Sequence, residues 1–218
     1  MTFPYDHLSP SSINRYLQCP LKFLYEKEGK EKRWDDRYAV TGGYIHHNIE
    51  CAYTGDLVNA MQLDSEMEKR FNESLLGWRR IIRRHGLEPD KGETVECTKT
   101  RTIDGVTVLG RIDYMRTEKD GQLMIVDWKS GSKTDNDILQ LRIYQWLAEG
   151  WHDPSKINVF GAYLRDGTLE RIPYTSSAHI EIVLRKVIDG INKGVFAPTK
   201  TKECGRCEYR YDCEGWTC

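Results

Sequence analysis

The stretch from Leu123 to Lys129 constrains the fold of this chain more than any other. Its first four residues are all apolar, as in a central strand covered on both faces rather than one with a face in water. Asp127 and Lys129 follow where the apolar run ends. Because alternate residues of a strand share a face, both point the same way and Trp128 points opposite. Burying either charge alone costs roughly several kcal/mol, so the pattern predicts that each has a partner.

A second acidic residue, Asp113, lies upstream of Asp127 in the segment 110–113. Turn-forming residues at 119–121 separate the two segments, so the sequence predicts a β-hairpin. Such a hairpin sets two carboxylates and one ammonium on adjoining strands, where a divalent metal could bind. An ion pair between Asp127 and Lys129, or a strand that reaches solvent early, would account for the same residues without a metal.

These segments, 110–113 (GRID) and 125–131 (IVDWKSG), resemble the PD-(D/E)XK nuclease superfamily and specifically its RecB-type branch. Ile112 stands where the superfamily pattern has proline, but RecB-type members commonly have Gly-x-x-Asp here. The resemblance implies an α/β protein with a restriction-endonuclease-like αβββαβ core. It also implies a phosphodiester hydrolase, a deoxyribonuclease of the two-metal type that uses Mg²⁺ or Mn²⁺.

Two further segments extend the resemblance. Residues 42–50 (GGYIHHNIE) are similar to the branch's helix with a metal-binding histidine, and the flanking glycine and glutamate align His46 rather than His47. Residues 140–144 (QLRIY) resemble its Gln-x-x-x-Tyr helix, whose two polar side chains lie one turn apart. The implied catalytic residues are Asp113, Asp127, Lys129, Gln140 and Tyr144, and the implied metal ligands are His46, Asp113, Asp127 and the carbonyl of Trp128. Glu50 and Glu96 are weaker candidates, for which a solvent-facing or capping role is the plainer explanation.

An imidazole ligand softens a metal site relative to an all-oxygen one, so Mn²⁺ should serve at least as well as Mg²⁺.

The chain has seven cysteines, which predict metal or thiol chemistry rather than disulfides in a chain without signal-peptide features. Three are grouped as Cys204-x2-Cys207-x5-Cys213, and Cys19 precedes a proline near the other terminus. Four thiolates suit zinc and iron-sulfur clusters alike, and the spacing alone does not separate the two.

The same arrangement is similar to the iron-sulfur nucleases of the RecB-type branch, including CRISPR-associated RecB-like nucleases. The resemblance implies a [4Fe-4S] cluster on Cys19, Cys204, Cys207 and Cys213, forming an iron-sulfur patch that joins the two termini, with zinc as the alternative. Cys218 competes as the fourth ligand of a local zinc knuckle. We favour Cys19, because Cys218 ends the chain and should fray. Cys51 and Cys97 are expected to be small buried hydrophobes.

The chain of 218 residues, with 39% hydrophobic and 30% charged residues, is expected to form a single nuclease domain over 1–218. Within it we expect cluster-binding ends at 1–40 and 195–218, a helical insertion at 54–92 and a catalytic sheet core at 93–175. Hydrophobic periodicity predicts helices at 13–25, 41–53, 56–84 and 135–151 and one that starts at Ser176 or Ser177. Alternation predicts strands at 94–98, 101–103, 106–109, 157–164 and 169–174 in addition to the two motif strands.

Four arginines, Arg79, Arg80, Arg83 and Arg84, form a basic stripe at the end of the long helix. The stripe could neutralise DNA phosphates, or it could be a solvated face with favourable C-terminal charge. A net charge of −1 argues against a generally basic nucleic-acid binder but allows a local footprint.

The resemblance implies DNA as the partner, single-stranded or with free ends, cut exonucleolytically and often 5′-to-3′. Aromatic residues such as Trp34, Tyr38, Tyr44 and Trp128 could stack on unpaired bases, although filling the core or an interface is the plainer expectation for most of them. A recombinase, helicase or other replication partner would deliver the substrate, in phage recombination, repair or CRISPR spacer acquisition. A non-catalytic DNA-binding or assembly module of the same fold is the alternative. Without a signal peptide or a long apolar segment, we expect an intracellular protein, cytoplasmic or phage-encoded and acting in the host cytoplasm.

Overall fold

The computed structural model describes residues 3–33, 35–89 and 92–215. Within this described part the chain forms six α-helices and a five-stranded sheet. The helices are α1 Pro10–Gln18, α2 Pro20–Lys27, α3 Arg37–Thr54, α4 Ser65–His85, α5 Asp135–Ala148 and α6 Ser177–Asn192. The strands are β1 Glu93–Ile103, β2 Val106–Thr117, β3 Leu123–Lys129, β4 Ile157–Tyr163 and β5 Thr168–Arg171.

The sheet has the strand order β1-β2-β3-β4-β5. Strand β3 is antiparallel to β2 and parallel to β4, and β4 is antiparallel to β5. Two parallel neighbours need a crossover connection, which α5 provides between β3 and β4. The mixed α/β fold and its restriction-endonuclease-like core, expected from the sequence, are confirmed.

Compact packing divides the chain into two units. The first comprises 1–35, 100–109 and 176–218, and the second comprises 36–99 and 110–175. Hairpin β1–β2 contributes residues to both units.

The second unit has a core in which α3 and α4 pack against the sheet. Trp128, Val126 and Tyr114 face this core, so the tryptophan side chain points away from its charged neighbours, as the strand alternation predicts. The helices contribute Ile45, Ile49, Trp78, Ile81 and Ile82. Because Trp128 is only 2% exposed, the expectation that it could stack on an unpaired base is wrong.

Contacts between the N-terminal helices and the C-terminal segment hold the first unit together. The Tyr16 hydroxyl donates to the Val195 carbonyl at 2.7 Å, and the Tyr25 hydroxyl donates to the Asp212 carbonyl at 2.9 Å. The Phe23 and Phe196 rings are stacked. These contacts use neither metal nor cysteine, so the ends of the chain have protein interactions of their own.

The single helix predicted over 13–25 is wrong, because the chain breaks between α1 and α2. Cys19 adopts an extended conformation, with φ −160° and ψ 108°, and Pro20 opens the next helix. A residue before proline is pushed out of the helical region, and proline has no N–H to continue the first helix.

Other boundaries also differ from the prediction. Helix α4 begins at Ser65 rather than at Asp56, because Asp64 accepts a hydrogen bond from the Met67 N–H and caps the helix there. The predicted strands at 94–98 and 101–103 are one continuous strand, β1, and the predicted strand at 106–109 continues into the first motif strand as β2.

Helix α4 approaches the end of β4 closely at Gly77. A Cβ at Gly77 would lie 1.5 Å from the carbonyl oxygen of Leu164, whereas a Cβ at Gly43 in α3 would meet nothing within 4 Å. We expect Gly77→Ala to destabilise the protein by about 1–3 kcal/mol through overpacking. The matched change Gly43→Ala should be neutral or stabilising by up to about 1 kcal/mol, because alanine favours a helix. Urea unfolding of both variants checks this, and equal stabilities would contradict the packing assigned to α4.

Candidate active site

Two carboxylates meet where the ladder between β2 and β3 ends. Tyr114 pairs with Val126, and Asp113 and Asp127 follow directly beyond this pair. The Trp128 N–H donates to Asp113 Oδ2 at 2.7 Å, so the backbone of one strand fixes the carboxylate of the other. Asp113 is 8% exposed and Asp127 is 2% exposed. The hairpin thus brings the two acidic side chains together in a nearly dry environment.

Lys129 supplies the nearest positive charge. Its Nζ lies 2.7 Å from Asp127 Oδ2 and 3.8 Å from Asp137 Oδ1, and it donates to Gln140 Oε1 at 2.7 Å. The ion pair that the sequence allowed is therefore present, and it lies beside the second carboxylate, Asp113.

Gln140 and Tyr144 on α5 support this group from one side. Gln140 Nε2 donates to Asp127 Oδ1 at 3.1 Å and to the Tyr144 hydroxyl at 2.9 Å. The Tyr144 hydroxyl in turn donates to the Arg111 carbonyl at 2.6 Å. Because residues four apart lie on one helical face, a single helix reaches both motif strands.

The glycine of the 110–113 segment makes room for this helix. A Cβ at Gly110 would lie 2.5 Å from Leu147 Cδ1 and 3.0 Å from Tyr144 Cε1. Any side chain there would require the Leu147 and Tyr144 side chains to shift.

Helix α3 brings His46 to the other side of the carboxylates. His46 Nδ1 lies 3.5 Å from Asp113 Oδ2. His47 instead contacts Glu50 and Cys51 of its own helix. The structure thus brings His46, and not His47, next to the motif.

Glu96 lies close to His46 and Asp113, although the sequence made it only a weaker candidate for the site. Among the described residues, His46, Glu96 and Asp113 can place one ligand atom each within 4.8 Å of one another, close enough to share a metal ion. Glu96 has a φ of +49°, which is uncommon for a residue other than glycine and interrupts the strand alternation. No sequence signal separates this glutamate from a solvent-facing one, because its position follows from that local backbone conformation.

Burial and mutual repulsion perturb the acidic groups. Burial and the charge of Asp113 raise the pKa of Asp127 to about 6, against the opposing effect of Lys129. Burial and Asp113 also raise the pKa of Glu96. Burial alone would lower the pKa of His46, but Asp113, Asp127 and Glu96 raise it to about 9. The site therefore holds more negative charge than its own cations neutralise, which favours a bound cation.

The four predicted cluster ligands lie in the first unit and line one cavity of about 100 Å³. They are Cys19, Cys204, Cys207 and Cys213. The N–H of Thr199 donates to Cys19 Sγ at 3.4 Å, and the N–H of Thr201 donates to Cys204 Sγ at 3.3 Å. The rival ligand Cys218 lies outside the described residues, as does Trp34. Cys51 is buried as expected, whereas Cys97 is only half-buried.

The arginine stripe lies on the exposed side of α4. Arg79, Arg80, Arg83 and Arg84 are all exposed. The Arg80 guanidinium packs near Gly167 in the turn between β4 and β5. Exposure is what both a DNA-contacting and a solvated face require, so both explanations of the stripe stand.

The model of the PD-(D/E)XK nuclease superfamily matches residues 7–214, so the chain belongs to this superfamily. Solved structures agree with the fold. A candidate exonuclease from Eubacterium rectale has a TM-score of 0.60 at 14% identity, with 98% of this chain and 90% of that one covered. The protein SSO0001 has a TM-score of 0.53 at 15% identity, with 100% and 90% covered. Among curated protein sequences, none matches this chain.

Family membership makes the chain a nuclease, a phosphodiester hydrolase that acts on DNA with divalent metal. Among its described helices, none has the length and apolar character needed to cross a membrane.

The buried pair of Asp127 and Lys129 leads to a prediction about the stability of the protein in the absence of metal. Replacing Lys129 by methionine leaves Asp127 unpaired beside Asp113, so we expect Lys129→Met to lower the free energy of unfolding by about 3–5 kcal/mol. Adding Asp127→Asn removes the orphaned charge and should recover much of the loss. Urea unfolding at pH 8 in a chelator measures both. A double variant no more stable than Lys129→Met would show that the lysine acts through packing and not through charge.

Proposed function

We propose that this protein is a metal-dependent deoxyribonuclease of the two-metal type, most active as an exonuclease on single-stranded DNA or DNA ends. The observation that carries the proposal is the convergence of Asp113, Asp127, Lys129 and His46 around one opening at the end of the hairpin. In a protein of this superfamily, that set combines cation ligands with an ammonium group able to face the substrate.

The residues present fit a divalent cation. Asp127 Oδ2 is buried, and apart from its ion contact with Lys129 it accepts no hydrogen bond in the described part of the chain. Carboxylate and carbonyl oxygens suit Mg²⁺ and Mn²⁺, and an imidazole among them favours the softer Mn²⁺. We assign Asp113, Asp127, His46 and the Trp128 carbonyl as ligands. A cation held there would neutralise charge on the scissile phosphate and lower the pKa of a bound water.

The side chains of this protein have distinct proposed roles around that phosphate. Lys129 orients the attacking water and stabilises the charge that develops on the phosphoryl oxygens. Gln140 holds Lys129 by the hydrogen bond to its Nζ and holds Asp127 through its amide group. Tyr144 fixes Gln140 and ties α5 to β2, so that the reacting groups are positioned before the substrate arrives.

Preference for ends is proposed from the RecB-type resemblance and from the E. rectale relative named as a candidate exonuclease, and 5′-to-3′ polarity is proposed from the resemblance alone. Arg79, Arg80, Arg83 and Arg84 are proposed to contact the DNA backbone, supported by their exposure. A recombinase, helicase or other replication partner would supply the substrate, in the cytoplasm of a cell or of a phage host. Recombination is the preferred setting, and CRISPR spacer acquisition is the alternative.

We also propose that a [4Fe-4S] cluster binds Cys19, Cys204, Cys207 and Cys213 in the first unit, and that segments 1–40 and 195–218 belong with the rest of the chain to one nuclease domain. The cavity of about 100 Å³ exceeds the ~10–15 Å³ that a water-sized occupant needs. A single tetrahedral zinc needs its sulfurs about 3.8 Å apart, and among the described residues no three cysteines have sulfurs within 4.8 Å of one another. Lys22 and Arg210 line the cavity and would favour thiolates.

Nuclease activity tests the main proposal. End-labelled single- and double-stranded DNA, linear and circular, should be degraded only when free ends are present, and Mn²⁺ should serve at least as well as Mg²⁺. Lys129→Ala should reduce the rate by at least about a hundredfold, because it removes a group that stabilises the transition state. The control is Lys119→Ala, an exposed lysine in the turn of the same hairpin.

Equal rates for wild type and Lys129→Ala would overturn the assignment of Lys129. Specific DNA binding without hydrolysis would favour the non-catalytic module. Failure with Mn²⁺ where Mg²⁺ works would count against His46 as a ligand.

The cluster makes its own prediction. Protein purified without oxygen should absorb visible light and contain iron, and Cys19→Ser or Cys207→Ser should lose both properties and lower the melting temperature, since binding energy at such a site is folding energy. Cys97→Ser, a half-buried cysteine outside the cavity, should keep them. A colourless protein with stoichiometric zinc would establish the zinc alternative instead.

A further inference from the structure

The opening beside the carboxylates has two parts that share His46 and Asp113. The Lys129 cavity, of about 250 Å³, also includes Asp127 and Gln140. The Glu96 cavity, of about 440 Å³, also includes Glu50 and Arg111. The residues that the proposed hydrolysis uses line the first part or support it from α5, although Glu50 and Arg111 of the second part also lie in the motif segments 42–50 and 110–113. The second part has acidic groups of its own, and the proposed hydrolysis assigns no role to them.

Glu96 is the best-placed of these groups to bind a cation. Its side chain is only 12% exposed, and its carboxylate lies within 4.8 Å of ligand atoms of His46 and Asp113. Two ligands of one ion lie at most about 4.4–5.2 Å apart when each bond is 2.2–2.6 Å long. The three side chains therefore need no backbone movement to share an ion.

Arg111 now neutralises this carboxylate. Its guanidinium forms an ion pair with Glu96 through Nε and lies 3.9 Å from Glu50 through Nη2. Its side chain is 62% exposed, so the group is held by these acidic partners at the rim rather than enclosed by the fold. Guanidinium binds phosphate in the same bidentate manner as carboxylate. A substrate phosphate at the rim is thus a direct competitor of Glu96 for Arg111.

We propose that Glu96, with His46 and Asp113, binds one of the two proposed cations, the one on the side of the site away from Lys129, and that Arg111 blocks Glu96 until a phosphate of the substrate draws Arg111 away. This proposal rests on the nuclease function and adds a coupling to it. A phosphate that binds bidentately needs the Nε and Nη2 edge of Arg111, which the two glutamates now occupy. Since this edge cannot hold Glu96 and such a phosphate at once, cation and DNA each assist the binding of the other. The site would bind its full set of cations only when DNA is present.

Measuring Mn²⁺ binding without DNA tests whether Glu96 is a ligand of the cation. Free Mn²⁺ is counted by electron paramagnetic resonance in titrations of the wild type, Glu96→Gln, Glu50→Gln and Arg111→Gln. We expect Glu96→Gln to weaken Mn²⁺ binding at least about tenfold, as loss of an anionic ligand should. Glu50→Gln, which alters the other carboxylate partner of Arg111, should change it less than about twofold. Arg111→Gln frees Glu96 and should tighten binding.

Cation binding with DNA tests the coupling. The titrations are repeated by calorimetry with Ca²⁺ and a short oligothymidylate, and the length of the DNA is checked on a gel afterwards. The oligonucleotide should tighten Ca²⁺ binding of the wild type by about fivefold or more, within the usual range of coupling between sites. The same oligonucleotide should have little effect on Arg111→Gln, in which Glu96 is already free.

The outcomes separate the two proposals. Equal Mn²⁺ affinity of the wild type and Glu96→Gln, both folded by circular dichroism, overturns the role of Glu96 even if the protein cleaves DNA. Unchanged coupling in Arg111→Gln overturns the exchange. A protein that binds Mn²⁺ through Glu96 but cleaves no DNA would instead refute the nuclease function and leave the cation site standing.

Discussion

Two carboxylates buried side by side at the end of one hairpin are the constraint on which the rest of the site depends. Burial first, and then the nearby charge of Asp113, disfavour the ionised form of Asp127 and raise its pKa. Lys129 offsets part of this rise in pKa, and the Trp128 N–H fixes Asp113. The remaining negative charge is what a divalent cation would neutralise. The contacts that fold the hairpin therefore also give it an affinity for cations.

The pairing register between β2 and β3 preserves this arrangement of the site. Because side chains alternate along a strand, a slip of one residue between β2 and β3 would bury Lys129 in the place of Trp128 and expose the core face. The tryptophan anchors the strand in the core, and α5 holds the opposite face through Gln140 and Tyr144. Gly110 lets that helix approach the strand closely. Mutations that loosen these supports should therefore reduce activity without touching the substrate.

Much of this could be predicted from sequence because it depends on local periodicity. The hairpin and the shared face of Asp127 and Lys129 follow from backbone geometry. The choice of His46, Gln140 and Tyr144 as site residues came instead from the resemblance to the RecB-type branch. The break at Cys19 was missed because the apolar pattern runs through Pro20, although the rule for residues before proline indicates it. The sequence could not rank Glu96 among the candidate metal ligands, since its approach to Asp113 results from a positive φ inside a strand. Such a conformation is set by neighbours that are distant in sequence.

The two metal-binding regions proposed for this chain differ in donor chemistry, so each should bind a different kind of metal. Thiolates of the first unit prefer soft ions and clusters, whereas carboxylates and one imidazole of the second prefer harder ions such as Mg²⁺ and Mn²⁺. The thiolate region depends on distant parts of the sequence, so its occupant would contribute to folding. The carboxylate region is built on the three strands β1, β2 and β3 and two helices, and Arg111 can neutralise part of it without metal. Its cations can therefore bind and dissociate together with the substrate, because Arg111 pairs with the negative charge that remains when they leave.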